Sequence, residues 1–359
     1  MGNLAGIRKK SAGMGNRAVI LVNVGTPDSP SVKDVRKYLS EFLNDPKVID
    51  IPWLLRKLLV NIVIVPFRAP RSAALYRRLW TDKGSPLLVH LTALVHRVRL
   101  SIRSEMHGDL LMRSSSDGLA FFGAMRYGNP SLASMLNQVR QEGYDRITVL
   151  PLYPQYASST TGSVIELVKT VTGKWDPEPE IDIVKQFYSS PAFIRPMAEK
   201  IRESCNMGFD RMVFSYHGLP VSQVRKEHPL CNPDTCGCDE HMTEHGRMCY
   251  RAACYETSRL LAESLGLGRE KYLTAFQSRF SKNWIGPFTD DTLLSLARSG
   301  AKRVVIAAPS FTADCLETTV EIGEEYRKLF ISGGGEDLVV VACLNEDLDV
   351  TGILGRSQV

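Results

Sequence analysis

Residues 143–151, Gly143-Tyr144-Asp145-Arg146-Ile147-Thr148-Val149-Leu150-Pro151, share a grammar with residues 299–309, Ser299-Gly300-Ala301-Lys302-Arg303-Val304-Val305-Ile306-Ala307-Ala308-Pro309. Each reads as a helix end, a glycine, a basic residue, an apolar strand, a proline and then a loop. Glycine suits the left-handed turn that closes a helix, and a short apolar run suits a strand buried on both faces of a parallel sheet. Runs of the same kind stand at 18–24, 118–125, 181–187, 211–215, 272–276 and 338–342, with helical periodicity at 32–43, 132–142, 192–204, 254–265 and 289–299. Strands alternating with helices predict an α/β protein. The repeated pattern predicts two similar doubly wound domains, each a parallel sheet flanked by helices, with a cleft between them. The expected divisions are 1–16 as a flexible segment, 17–172 and 173–335 as the two domains, and 336–359 as a terminal strand and tail. Ligands of such sheets bind at the carboxyl ends of the strands, so the loops there carry the functional reading.

The chain has 359 residues, enough for two domains with cores of their own. At 44% hydrophobic and 23% charged residues it has the composition of a globular protein, which excludes a disordered chain, a collagen and a polytopic membrane protein. Its net charge of +5 suits anionic ligands or a membrane surface better than it argues for nucleic acid. No GxGxxG or Walker A stretch announces a nucleotide. The first sixteen residues lack the apolar core of a secretory signal, and Gly6 occupies the Ser/Thr position of a myristoylation motif. The expected location is the cytoplasm, with peripheral attachment to a membrane.

Residues 53–67, WLLRKLLVNIVIVPF, are almost wholly apolar but interrupted by Arg56, Lys57 and Asn61. A spanning helix needs about 20 apolar residues, so this run is expected not to span. It reads equally as a buried core helix or as an exposed lip that meets a membrane or a flat apolar ligand. Arg68, Arg71, Arg77 and Arg78 follow it, which suits lipid headgroups or carboxylates.

Two loops carry chemistry. Ser215-Tyr216-His217-Gly218-Leu219-Pro220 follows a strand and aims a histidine into the cleft. An imidazole titrates near neutrality and so can take a proton or bind a transition metal, although an isolated histidine is more often structural. The second loop runs from Pro309 to a helix that Thr312 or Asp314 can cap, in which Glu317, Glu321 and Glu325 recur every four residues. That spacing stacks like charges on one helix face, as either a solvated face or a row of oxygen ligands conducting a divalent cation.

Residues 215–220 (SYHGLP) and 309–325 (PSFTADCLETTVEIGEE) resemble the paired active-site loops of the ferrochelatases, which insert ferrous iron into a porphyrin. Further stretches match that family in order: LVNVGTP (21–27), YRR (76–78), GSPL (84–87), MRYGNP (125–130), YPQY (153–156) with STTG (159–162), and FQSR (276–279) before WIGP (284–287). The resemblance spans about 19–330. It implies a chelatase-like fold and insertion of Fe2+ into protoporphyrin IX or coproporphyrin III in the terminal part of haem biosynthesis, with no cofactor required for the chemistry. It implies that His217 accepts pyrrole protons, binds iron, or both, and that Glu317 is the second metal-site residue. Glu321, Glu324 and Glu325 would continue a path for metal or protons. Val24, Tyr76, Arg126, Tyr127 and Trp284 would line or contact the macrocycle, and the apolar segment would be the lip where porphyrin enters. Cys315 stands where the family often has His. A cobalt or sirohydrochlorin chelatase, or a non-catalytic haem-binding relative, is the competing reading. The implied unit is a monomer or a homodimer.

Cys231, Cys236, Cys238, Cys249 and Cys254 crowd one insertion, 228–254, with His241 and His245 among them. In a chain without a secretory signal such crowding reads as metal chemistry rather than disulfides. Four thiolates suit a [2Fe-2S] cluster or a tetrahedral Zn2+, and a reduced, metal-free loop is the third reading.

Overall fold

A computed structural model describes residues 16–108, 119–177, 179–205, 207–229 and 236–355. Among these, eight strands form two parallel four-stranded sheets. The first contains β1 (Arg17–Thr26), β2 (Leu119–Gly128), β3 (Arg146–Pro151) and β4 (Glu180–Ile183), in the order β2-β1-β3-β4. The second contains β5 (Arg211–His217), β6 (Tyr272–Gln277), β7 (Arg303–Ala307) and β8 (Asp337–Val340), in the order β6-β5-β7-β8. Counted from its own first strand, each sheet has the same order, so the chain lays down one topology twice.

The paired grammar of the sequence marks the third strand of each sheet. Before β3, Gly143 (φ 78°) ends the helix Leu132–Gln141, and the Tyr144 N–H donates back to the Val139 carbonyl. Before β7, Gly300 (φ 95°) ends the helix Thr289–Arg298, and the Ala301 N–H donates to the Leu296 carbonyl. Both are helix stops that a side chain at the glycine would strain.

The central strands β1 and β5 are buried along most of their length, as strands covered on both faces must be. β4 pairs with β3 and so carries the first domain past the expected boundary at 172. β8 pairs with β7, so residues 337–340 complete the second sheet rather than opening a separate tail. The domains are stitched together around the ends of their sheets. Gln155 Nε2 donates to Thr257 Oγ1 at 3.1 Å, and Thr312 Oγ1 donates to the Leu152 carbonyl at 3.0 Å. Asn345–Asp347 packs against the helix Pro86–Gly108, where His90 meets Glu346 and Arg97 pairs with Asp347.

The apolar run belongs to one continuous helical stretch from Trp53 to Leu79, long and apolar enough by composition alone to cross a membrane. Its two ends differ. From Val65 on, Val65, Ala69, Ala73, Tyr76 and Leu79 pack into a core with Val35, Tyr38 and Leu39. The first half turns its apolar side chains outward: Trp53 is 64% exposed, and Leu54, Leu55, Leu58, Ile62, Val63 and Phe67 are exposed with it. Arg56 is turned inward instead and donates to the Ile51 carbonyl. The first half is therefore largely exposed, not a buried core helix, although Val60 within it is buried.

Candidate active site

His217 is the last residue of β5, paired with Gln277 of β6. Its backbone is held on both sides: its N–H donates to Ser310 Oγ at 3.1 Å, and its carbonyl accepts from the Tyr250 hydroxyl at 2.7 Å. The ring Nδ1 lies 2.7 Å from the Gly218 carbonyl oxygen. A carbonyl only accepts, so Nδ1 is the donor here and Nε2 is the ring nitrogen left for another partner. Trp284 and Phe311 flank the half-buried ring at centroid distances of 6.2 and 6.3 Å.

The carboxylate row starts on a helix turn fixed by Asp314. That side chain accepts from Thr318 Oγ1 and from Asn345 Nδ2, whereas Thr312 is spent on the contact with Leu152. The segment Glu317–Tyr326 is a π-helix rather than the expected α-helix. Its wider turn is a form that concentrates at functional sites. Glu321 accepts from the Ser278 N–H at 2.9 Å, from Ser278 Oγ at 2.5 Å and from the Tyr326 hydroxyl at 2.7 Å. Burial pushes the Glu321 carboxyl up, with the nearby Glu317 charge adding to it; the Ser278 and Tyr326 hydrogen bonds and His217 pull the other way. Glu317 and Glu321 are half-buried, Glu324 is ion-paired with Arg78 of the first domain, and Glu325 is exposed. The row thus runs from the site to the surface.

The first domain supplies the facing wall. Tyr76 is buried, packs edge-on against Tyr38 and Trp80, and lies within the field of Glu317, which together with burial raises its phenol. Val24, at the end of β1, is partly buried where two cores meet. Arg126 and Tyr127 sit deeper. Arg126 donates to Asp45 Oδ2 at 2.5 Å and to Ser163 Oγ at 2.7 Å, while the Tyr127 hydroxyl donates to Asp45 Oδ2 at 2.8 Å. Tyr127 is 1% exposed, so it supports the wall from behind instead of presenting a face to the cleft.

The structure therefore gathers His217, Trp284, Glu317, Glu321 and Tyr76 and sets Arg126 and Tyr127 beneath them. Asp45, Ser163, Ser278, Tyr250 and Ser310 are additions that sequence reasoning missed. Ser163 and Ser278 adjoin or fall within quoted motifs and could have been found; Asp45 carries no local signal. Among the described residues no three His, Cys, Asp or Glu side chains form a preformed single-metal site.

Cys231 lies outside the described residues. Cys236 and Cys238 have their sulfurs 3.2 Å apart, and Arg251 Nη1 reaches both, at 3.2 and 2.7 Å. Cys249 stands at the N-cap position of the helix Tyr250–Leu265 without a side-chain capping bond, and Cys254 lies within the helix; both act electrostatically on Cys238. Burial drives the Cys238 and Cys254 thiols upward, the cost a bound cation would offset. Among the described residues, however, no three His, Cys, Asp or Glu side chains of this insertion group closely enough to hold a metal ion.

The family model described as Ferrochelatase matches residues 16–356. The ferrochelatase of Legionella pneumophila (strain Paris) is 40% identical over 92% of this chain and 95% of its own length. That of Pseudomonas syringae pv. tomato is 37% identical over 93% and 95%. Among solved structures, SirB from Bacillus subtilis with Fe3+ aligns over 96% of this chain and 94% of its own, at 12% identity and a TM-score of 0.49. With its motifs in order and its relatives matched almost end to end, the chain belongs to the ferrochelatase family.

Proposed function

We propose that the protein inserts Fe2+ into a porphyrin, with His217 and Glu317 at the reacting centre. The observation that carries this is the His217 ring, anchored through Nδ1 to the Gly218 carbonyl so that Nε2 is the nitrogen left for a ligand, beside a half-buried carboxylate pair under an aromatic wall. Metallation forms bonds from iron to the pyrrole nitrogens and releases two N–H protons. Those protons need a base held where the macrocycle lies, and the lone pairs must be turned out of the ring plane toward the metal. A rigid cleft that binds a bent ring better than a flat one lowers that barrier. His217 Nε2 is placed to accept a proton, bind the incoming iron, or do both in turn. Glu317 and Glu321 receive charge beside it, and the raised Glu321 carboxyl can hold a proton on its way out toward Glu324 and Glu325. Val24, Tyr76 and Trp284 form the wall against the ring.

The test is anaerobic incubation of the purified protein with Fe2+ and, separately, protoporphyrin IX and coproporphyrin III. Haem formed from either at enzymatic rates supports the reading, and none from both contradicts it. The exposed apolar lip supports shallow docking on a membrane, with Arg68, Arg71, Arg77 and Arg78 toward anionic groups, in a protein of the cytoplasm acting as monomer or homodimer. For the insertion, four of Cys231, Cys236, Cys238, Cys249 and Cys254 would hold a [2Fe-2S] cluster, with Arg251 balancing its charge; Zn2+ is the alternative occupant. A cluster there would supply stability or redox sensitivity apart from metallation. Anaerobically purified protein should carry about two irons and two inorganic sulfides per chain, the content of such a cluster. Cys236→Ser should bleach its visible absorption; a colourless protein with one zinc, or none, would refute the cluster.

A further inference from the structure

We infer that Tyr250 is a positioning residue for His217, acting from the cysteine insertion on the backbone of the metallation site. This rests on the reading of His217 as the residue that meets proton or iron.

The Tyr250 side chain is buried, yet its hydroxyl is used on a distant strand end: it donates to the His217 carbonyl at 2.7 Å. Ser310 Oγ in turn accepts from the His217 N–H at 3.1 Å. Both peptide groups that set the direction of the His217 side chain are therefore tied to one pair of hydroxyls, one from the loop after β7 and one from the helix that follows the insertion. β5 itself cannot supply this. His217 is its last residue and pairs only with β6, because the register with β7 stops at Phe214↔Ala307. Beyond that point the β7 side of the strand would be open without Tyr250 and Ser310. The ring is further constrained by its own bond to Gly218, so a tilt of the backbone carries Nε2 with it. Errors of about 1 Å at a reacting atom cost on the order of a hundredfold in rate. Cys249 precedes Tyr250 and Cys254 follows it by about one turn of the same helix, so this anchor stands between two of the insertion's cysteines.

Anaerobic steady-state kinetics with Fe2+ and protoporphyrin test the assignment. Tyr250→Phe should lower kcat about tenfold and leave the porphyrin KM within about twofold, the pattern of lost orientation rather than lost binding. Ser310→Ala should lower kcat in the same way, and the double variant should lose less than the product of the two, because both hold one backbone segment. Tyr216→Phe is the structural control: it removes an equally buried hydroxyl, bonded to Ser258 at 2.9 Å, from the neighbouring residue without touching a His217 group. It should lower the melting temperature and keep the wild-type kcat. A wild-type kcat in folded Tyr250→Phe overturns the inference, as do losses of kcat that follow melting temperature across Tyr250→Phe and Tyr216→Phe alike. If Tyr250→Phe does not fold, Ser310→Ala decides by the same criterion. His217→Ala distinguishes the two levels: a wild-type rate there overturns the reading of the site itself, whereas an inactive His217→Ala beside a fully active Tyr250→Phe overturns only the role of Tyr250.

Discussion

The hydrogen bond from His217 Nδ1 to the Gly218 carbonyl shows how a single residue acquires a role from its neighbours. The sequence could single out the histidine and Glu317 as candidates because each sits in a short, local motif. Asp45 has none. It gains its importance from partners 81, 82 and 118 positions away, Arg126, Tyr127 and Ser163, which all converge on its Oδ2. No window of sequence contains that convergence. Asp45→Ala would leave a half-buried guanidinium without its carboxylate and would take from the Tyr127 and Ser163 hydroxyls their shared acceptor, leaving them their mutual 3.0 Å contact. The expected cost is about 3 kcal/mol of stability, read as a shift in the urea midpoint, as for other broken buried pairs. A change below about 1 kcal/mol would mean that Arg126 finds another partner and that the network does not hold the wall.

At the level of elements, the strands and most helices could be placed from apolar runs and glycine stops, but three π-helical segments could not. They lie at Leu59–Ile64 in the lip, Ser158–Gly162 after β3 and Glu317–Tyr326 in the carboxylate row. A four-residue spacing fits α and π geometry about equally, so periodicity does not separate them. Nor could it settle the lip, because an apolar face reads the same whether it meets a core or the outside. Leu58 and Ile62 are exposed, so Leu58→Glu with Ile62→Glu should leave the melting temperature within about 2 °C, as surface changes do, while weakening binding to anionic vesicles and raising the porphyrin KM. An unfolded double variant would contradict the lip. Asp210, just before β5, gives an element-level dependence on pH. Its carboxylate accepts from the backbone N–H groups of Arg303 and Lys302 at the start of β7, which hold it below the usual carboxylate value. A group depressed in the folded state stabilises above its unfolded value and loses that contribution as pH falls through the folded one. Asp210→Ala should therefore cost roughly 1 kcal/mol at pH 7, modest because the residue is exposed, and the difference should narrow as pH falls below the ordinary aspartate range. A pH-independent difference would mean that the charge is not what pins the two strands.

For the whole molecule, the repeated grammar at 143–151 and 299–309 proved to mark equivalent third strands in two sheets of the same order, so the architecture could be read from one internal comparison. What that comparison could not give was the division of labour. The second domain brings His217, Trp284 and the carboxylate row, while the first brings the lip and the aromatic wall; the Arg78–Glu324 pair closes the two across the row. The most direct test is a single turnover under anaerobic conditions, with His217→Ala and the wild type each mixed with protoporphyrin and then Fe2+. Porphyrin fluorescence should be quenched equally on binding to both proteins, because the apolar wall is intact. Haem absorption should then grow in the wild type and fall by at least a hundredfold in rate in the variant, beyond the single hydrogen bond and into the range of lost acid–base or metal-ligand function. Equal rates of haem formation in the two proteins would contradict a metallation centre at His217.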